Sequence, residues 1–256
     1  MIMIKRKKIL VTNDDGVFAP GIRFLIDIVR ELGDIVVVAP DKPQSGTGHA
    51  ITFSEPLRIK TIEETENYSE YSCNGTPVDC IKMAEYLVLN HELPDLVVSG
   101  VNHGSNASVN IIYSGTMAAV IEAHIDEIPA IGFSLNSYSH KTNLEPARPF
   151  IKKIIQSILA NGMPKDICLN VNIPHCDDIK GIKISRQAKA SWKESFDSRI
   201  DPRGGHYHWL TGHFHVDDNS EGTDIKAMED GFIAVVPIQI DLTAYKAIES
   251  LRFLEE

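Results

Sequence analysis

The sequence predicts an α/β protein, with a mostly parallel sheet flanked by helices and a β-hairpin extension towards the C-terminus. Three observations predict it. Apolar runs that read as buried strands alternate with segments of helical periodicity. The first such elements, residues 9–12, 20–32 and 35–40, make a strand, a helix and a strand, the βαβ unit of a parallel sheet with a right-handed crossover. From residue 187 the alternation gives way to a long polar stretch that still carries Trp192, Phe196, Tyr207, Trp209 and Phe214.

The first strand, Ile9-Leu10-Val11-Thr12, is apolar and stops at Asn13-Asp14-Asp15-Gly16. In the helix that follows, Ile22, Leu25, Ile26, Val29 and Leu32 recur at spacings of three and four and make one face, and Gly33 stops it. The second strand, 35–40, is bounded by Asp34 and Pro40 and opens into a Pro-, Ser- and Gly-rich loop, 41–49. Residues 51–72 read as an irregular β excursion, alternating at 57–62. Thr76 is placed to cap a helix with Pro77 in its first position, running to about Asn90.

A third buried strand, 94–100, leads into the polar loop Val101-Asn102-His103-Gly104-Ser105-Asn106. Ser114-Gly115-Thr116 then opens an Ala-rich helix, 117–124. A strand at 128–135, a helix at 146–160 and a strand at 165–174, ending in Asn170-Val171-Asn172, complete the alternation. Residues 182–185 alternate as a strand. The polar stretch 187–230 reads as hairpins and long loops, and a strand at 231–240 and a helix at 243–254 close the chain. The expected division is a Rossmann-like α/β core over 1–178, a β-hairpin and loop arm for subunit contact over 179–230, and a final strand and helix over 231–256.

Composition excludes several functions. A formal charge of -10 disfavours a nucleic-acid polymer as partner, since phosphate backbones need a basic surface. The cysteines, Cys73, Cys80, Cys168 and Cys176, form no C-x-x-C pair, which speaks against a zinc knuckle and for a reduced cytoplasmic protein. The basic run at 5–8 is followed by too short an apolar run for a signal peptide. No segment approaches the roughly 18–20 apolar residues of a membrane span.

The chemistry concentrates at strand ends. Two adjacent carboxylates, Asp14 and Asp15, repel each other, and a hard divalent cation would neutralise them; a solvated Asp-Gly turn is the plainer alternative. If the first three strands are neighbours, the loops after them converge at one sheet edge, where α/β folds bind ligands. That edge would gather the oxygens of Asp14, Asp15, Ser45, Asn102 and Asn106. Ser114, Gly115 and Thr116 add a helix start whose N–H groups suit phosphate. Each has a structural alternative: a flexible loop for Ser45, turn hydrogen bonds for the asparagines, a simple helix cap for Ser114. His49 and His103 are candidate bases, though ordinary loop histidines by default. His206, His208, His213 and His215 form a cluster with no carboxylate or cysteine at a matching spacing, so a second metal is not expected there.

Rival α/β readings fail on the letters. The first strand is not followed by G-x-G-x-x-G, and Ile51 stands where Gly46-x-Gly48 would need its third glycine. No P-loop is present. A phosphoacceptor receiver domain would end its third strand in aspartate, where Ser99-Gly100 stand. A haloacid-dehalogenase-like phosphatase needs Asp-x-Asp, which Asp14-Asp15-Gly16 does not supply.

The ordered set Leu-Val-Thr-Asn-Asp-Asp-Gly-x-x-Ala-Pro-Gly, Val-x-Ala-Pro-x-x-x-x-Ser-Gly, Asn-Gly-Thr-Pro-x-Asp-Cys, Pro-Asp-Leu-Val-Val-Ser-Gly-x-Asn-x-Gly-x-Asn and Tyr-Ser-Gly-Thr resembles the SurE (survival protein E) nucleotidases, also described as acid phosphatases. Asp201-Pro202-Arg203-Gly204, Tyr207-His208-Trp209-Leu210 and Glu221-Gly222-Thr223-Asp224 extend the resemblance. It implies a Rossmann-like core, a protruding β-hairpin region for dimer or tetramer assembly, and release of phosphate from nucleoside 5′- and 3′-monophosphates, with activity on short polyphosphate in some members. It also implies one divalent cation per subunit, Mg²⁺ or Mn²⁺, on the positions of Asp14, Asp15, Ser45 and Asn102. Asn106, Ser114, Gly115 and Thr116 match positions near the phosphate. Either aspartate could also act on the attacking water. A non-catalytic nucleotide or phosphate sensor on the same fold is the alternative.

Overall fold

The computed structural model describes residues 6–255. The strands are β1 (Lys8–Thr12), β2 (Asp34–Pro40), β3 (Ile59–Thr65), β4 (Tyr68–Cys73), β5 (Leu96–His103), β6 (Ala130–Leu135), β7 (Cys168–Ile173), β8 (Gly181–Ile184), β9 (Ala190–Ile200), β10 (His206–Val216) and β11 (Phe232–Ile238). The α-helices are α1 (Pro20–Val29), α2 (Pro77–Met83), α3 (Gly115–Ile125), α4 (Arg148–Asn161), α5 (Asp224–Glu229) and α6 (Tyr245–Ile248).

A central sheet runs in the order β3-β4-β2-β1-β5-β6-β7-β11-β8. The stretch from β4 to β7 is parallel throughout, while β3 and β11 run antiparallel to β4 and β7. Strands β1 and β2, inside this stretch, are buried on both faces, which is why they read as continuous apolar runs. Successive β1 side chains serve opposite faces. Ile9 and Val11 pack with Ile22 and Leu25 of α1 and Ile151 and Ile155 of α4, whereas Leu10 packs with Cys80 and Ile81 of α2 and Met117 and Val120 of α3. These side chains are almost fully inaccessible, and each contributes about 2 kcal/mol by leaving water.

The βαβ expectation holds: β1 pairs in parallel with β2 through α1. The chain then returns to the other side of β1, which pairs in parallel with β5. The sheet therefore reverses its strand order at β1, and ligands of open α/β sheets bind beyond the carboxyl ends of strands at such a point. Local chemistry fixes α2 as its sequence indicates. Thr76 Oγ1 accepts from Asp79 N at 3.1 Å and Asp79 Oδ2 accepts from Thr76 N at 2.8 Å, a reciprocal capping box.

Several elements differ from expectation. The 51–72 excursion resolves into the antiparallel pair β3 and β4, with a register shift between Thr61 and Glu63. The helix after Thr76 is α-helical only to Met83 and continues as a π-helical turn, Ala84–Val88. Strand β5 extends through Asn102 and His103, which a loop was expected to hold. The terminal helix keeps α geometry only over α6, and a 3-10 segment, Glu249–Leu254, follows.

The 179–230 region is not all arm. Residues 181–184 form edge strand β8 on β11, and α5 packs Ala227 and Met228 against Ala234. The projecting part is the β9–β10 hairpin, a separate two-stranded sheet paired from Ala190↔Val216 to Ile200↔His206. Among the described residues no helix is long and apolar enough to cross a membrane.

Candidate active site

Asp14 and Asp15 directly follow β1, where the strand order reverses. Main-chain bonds draw the loops of the neighbouring strands onto them. Gln44 N donates to Asp14 O at 2.8 Å and Val17 N to Pro40 O at 2.8 Å, which brings the loop after β2 alongside. Gly48 N donates to Tyr113 O at 3.3 Å, linking that loop to the start of α3. His103 N donates to Asp15 Oδ2 at 3.3 Å, which brings in the end of β5. The β5–β6 register shifts between Ser99 and Asn102, an irregularity that re-aims the strand end, as bulges near functional sites do.

Asp14 is 6% exposed. Its carboxyl is pushed up to about 6, chiefly by burial and further by the charge of Asp15, against the hydroxyl of Thr116, which donates to Oδ1 at 2.5 Å. Among the described residues no lysine or arginine forms an ion pair with either aspartate. His103 Nδ1 lies 3.6 Å from Asp15 Oδ2. Thr12 Oγ1, Asn13 Oδ1 and both ring nitrogens of His103 are buried around the pair without a hydrogen-bond partner. Such a concentration of unsatisfied polar atoms marks a place built for something other than packing.

Helix α3 aims its N-terminus at the same point. Ser114 caps it, its hydroxyl accepting from Met117 N at 3.0 Å. Ser114 thus fulfils the cap role that its position suggested. Gly115 is required by closeness: a Cβ there would stand 2.8 Å from Asp14 Cβ and 3.0 Å from Asp14 Oδ2. The first turn of α3 and the aspartate are therefore in contact, and the helix dipole favours negative charge there.

The remaining expected residues divide. Asn102 lies at the end of β5 beside His103, and its Nδ2 donates to Gly104 O at 2.7 Å, which leaves Oδ1 as its free acceptor. Ser45 is exposed on the loop after β2, next to Gln44. Asn106 is buried and turned into a polar network: its Nδ2 donates to Ser134 Oγ and its N–H to Asn172 Oδ1, each at 2.8 Å. Asn172 Nδ2 in turn donates to Asn170 Oδ1 at 2.9 Å. Sequence reasoning left this network unseen. The alternation Asn170-Val171-Asn172, which puts both carboxamides on one face of β7, was its available signal.

His49 is drawn away from the carboxylates, its Nε2 lying 2.7 Å from Glu122 Oε2 on α3. His103 is the histidine that the fold brings to the pair. The histidines of the hairpin lie on a separate sheet, and Ser198 Oγ and His208 Nδ1 are bonded at 2.8 Å. Among the described residues no cluster of three or more His, Cys, Asp or Glu side chains could hold a metal, so a cation here would rest on two carboxylates and neutral oxygens.

Volume does not locate this site. A cavity of about 350 Å³ lies beside Leu144, Ile173 and His175, and one of about 1020 Å³ opens beside Pro129, Lys165 and Tyr245; the aspartate pair lines neither. The pair is identified by the burial of Asp14, by its charge and by its place at the strand-order reversal.

Comparison with known proteins places the fold and the sequence in one family. A sequence model of the family described as survival protein SurE matches residues 9–194. The chain is 56% identical to a protein of Christiangramia forsetii named 5′-nucleotidase SurE, over 96% of each chain. It is 55% identical to a protein of the same name from Flavobacterium psychrophilum, over 95% of this chain and 96% of that one. The crystal structure of the SurE protein from Aquifex aeolicus superposes with a TM-score of 0.85 at 39% identity, covering 97% of this chain and all of that one. With the strand-order reversal, the paired aspartates and the helix start in place, the chain belongs to the survival protein SurE family.

Proposed function

We propose that this protein is a metal-dependent phosphomonoesterase that releases phosphate from nucleoside 5′-monophosphates, with nucleoside 3′-monophosphates and short polyphosphates as further substrates. The observation that carries it is the pair of adjacent carboxylates, Asp14 buried against the N-terminus of α3 and Asp15 partly exposed beside it, without a lysine or arginine counter-charge among the described residues. The name 5′-nucleotidase borne by relatives more than half identical supports the choice of substrate.

The residues fit a hard divalent cation, Mg²⁺ or Mn²⁺. Asp14 and Asp15 offer carboxylates, and Asn102 Oδ1 and the Ser45 hydroxyl offer neutral oxygens. When bound, the ion supplies Lewis acidity towards a phosphoryl oxygen and a water of lowered pKa. The protein's own part is orientation. Thr116 fixes the rotamer of Asp14 through its hydroxyl, and on this reading the phosphate lies beside the first turn of α3 at Gly115 and Thr116, where the helix dipole favours its charge. Asn106, held by Ser134 and Asn172, stiffens the strand ends behind the site.

The hairpin fits self-association into a dimer or tetramer. Phe196, Ile200 and Leu210 share one of its faces and are 67%, 62% and 65% exposed.

Phosphate release from AMP with Mn²⁺ or Mg²⁺, compared between the wild type and Asp15→Asn, tests the reading. A loss of at least a hundredfold in kcat/KM is expected for the variant. Near-wild-type turnover would remove the metal site, and AMP binding without any turnover by the wild type would leave a sensor.

A further inference from the structure

A nucleoside monophosphate carries an aromatic base as well as a phosphate, and the base needs a surface. Beside the carboxylates, the end of β5 is covered by the loop after β6. Tyr138, on that loop, is 75% exposed, yet its ring is seated. The Cδ1–Cε1 edge lies against Gly104, where a Cβ would come within 2.8 Å of Cε1 and 3.1 Å of Cδ1. Gly104 also has φ +122°, a conformation that residues with a side chain rarely adopt. Its neighbour His103 is the residue whose N–H reaches Asp15. The ring therefore stands against the residue that follows His103, at the strand end that helps to build the carboxylate site.

The loop is pinned. Ser137 Oγ and Thr142 Oγ1 are bonded at 2.8 Å, Ser137 N donates to Leu135 O at 2.7 Å, and Asn136 N to Ile173 O at 2.9 Å. The His140 ring packs on the His103 ring at 4.5 Å between centroids. A tyrosine on a free loop would lose more conformational entropy on binding; here the loop backbone on either side of Tyr138 is tied down before ligand arrives.

We propose that Tyr138 is the nucleobase platform of the site, taking the base of a nucleoside monophosphate by stacking while the phosphate lies at Asp14, Asp15 and the start of α3. This rests on the nucleotidase reading above. Stacking tolerates any base because each has a π-face, so the platform selects nucleotides over other phosphate esters rather than one base over another.

The experiment compares AMP with ribose 5-phosphate, which keeps the phosphate and sugar and lacks the base. Tyr138→Ala is expected to raise KM for AMP roughly tenfold, with kcat and the ribose 5-phosphate constants unchanged, and Tyr138→Phe is expected to restore wild-type values. Equal effects on both substrates, or none, would overturn the platform, as would the same selective loss in Tyr113→Ala but not in Tyr138→Ala. Calorimetric binding of both ligands to the two proteins reads the same contrast without turnover. A wild type that hydrolyses neither ester but loses AMP affinity on Tyr138→Ala would refute the enzyme and keep the platform.

Discussion

The Thr116 hydroxyl donates to Asp14 Oδ1 at 2.5 Å, joining the end of the first strand to the first turn of a helix 102 residues later. This bond favours the ionised carboxylate, which burial and Asp15 oppose. A cation binds the ionised form, so binding must displace a proton wherever the ion-free site sits below about pH 6. In Thr116→Val the carboxyl of Asp14 rises further. Mn²⁺ affinity measured by calorimetry is expected to drop several-fold more at pH 6 than at pH 8. A loss that is equal at both values would mean that the hydroxyl acts through geometry alone.

Asp14 also sets a stability cost. Its pKa in the folded, ion-free protein, about 6, lies above the unfolded value of 3.8. The folded state therefore binds more protons between these values, and this group's penalty is full above pH 6 and relieved as pH falls towards 4. Asp14→Asn removes the buried charge while keeping an oxygen for Thr116. With chelator present at pH 8, the variant is expected to be more stable to denaturant by about 2–3 kcal/mol while losing its cation affinity. A variant that is less stable than the wild type would show that the charge is compensated within the protein.

How far the sequence disclosed this arrangement depends on the range of each interaction. The buried strands were legible because apolar runs such as 35–40 are short, β-branched and bounded by Asp34 and Pro40, and the Thr76–Asp79 box is written within four residues. Helix α5 was missed inside the polar stretch, although Thr223 caps it and Ala227 and Met228 form its buried side. Six residues are too few to show a periodicity. That β11 runs antiparallel to β7 and takes β8 as its outer neighbour depends on pairing between distant segments, to which composition is silent.

The site divides in the same way. Asp14, Asp15 and the turn at Gly115 advertise themselves by local chemistry. The contact of His103 with Asp15, and the tie from Asn106 to Ser134 and Asn172, exist only once β1, β5, β6 and β7 lie side by side. His49 and His103 looked alike in sequence, and the fold separates them by sending one to Glu122 and the other to Asp15.

Gly115→Ala tests the contact between helix and carboxylate. The added Cβ would lie 2.8 Å from Asp14 Cβ, closer than side chains pack, so the aspartate must move. Helix propensity favours the change by up to about 1 kcal/mol, which protects the fold. A displacement on the order of an ångström at a catalytic carboxylate costs about a hundredfold in kcat, so an inactive variant with an unchanged circular dichroism spectrum is expected. Retained activity would place the phosphate away from this turn.

Asp224 joins the hairpin to the site. It is 1% exposed, and its Oδ2 accepts from Ser108 N at 2.8 Å while Oδ1 accepts from Ala188 N and Ile225 N, each at 2.9 Å. Ser108 begins the turn that leads to Ser114, and Ala188 lies just before β9. Ser108 Oγ completes the knot by donating to Ala188 O at 2.8 Å. Asp224→Ala leaves three backbone donors without their acceptor, and buried unpaired donors cost about 1–3 kcal/mol each before water relieves some of them. A loss of about 3–5 kcal/mol in unfolding free energy is expected, with faster proteolytic cleavage between residues 186 and 190, where the arm leaves the core. Asp224→Asn, which keeps one acceptor oxygen, should fall between the two proteins. If cleavage rates match the wild type while stability falls, Asp224 supports the core alone and does not hold the root of the arm.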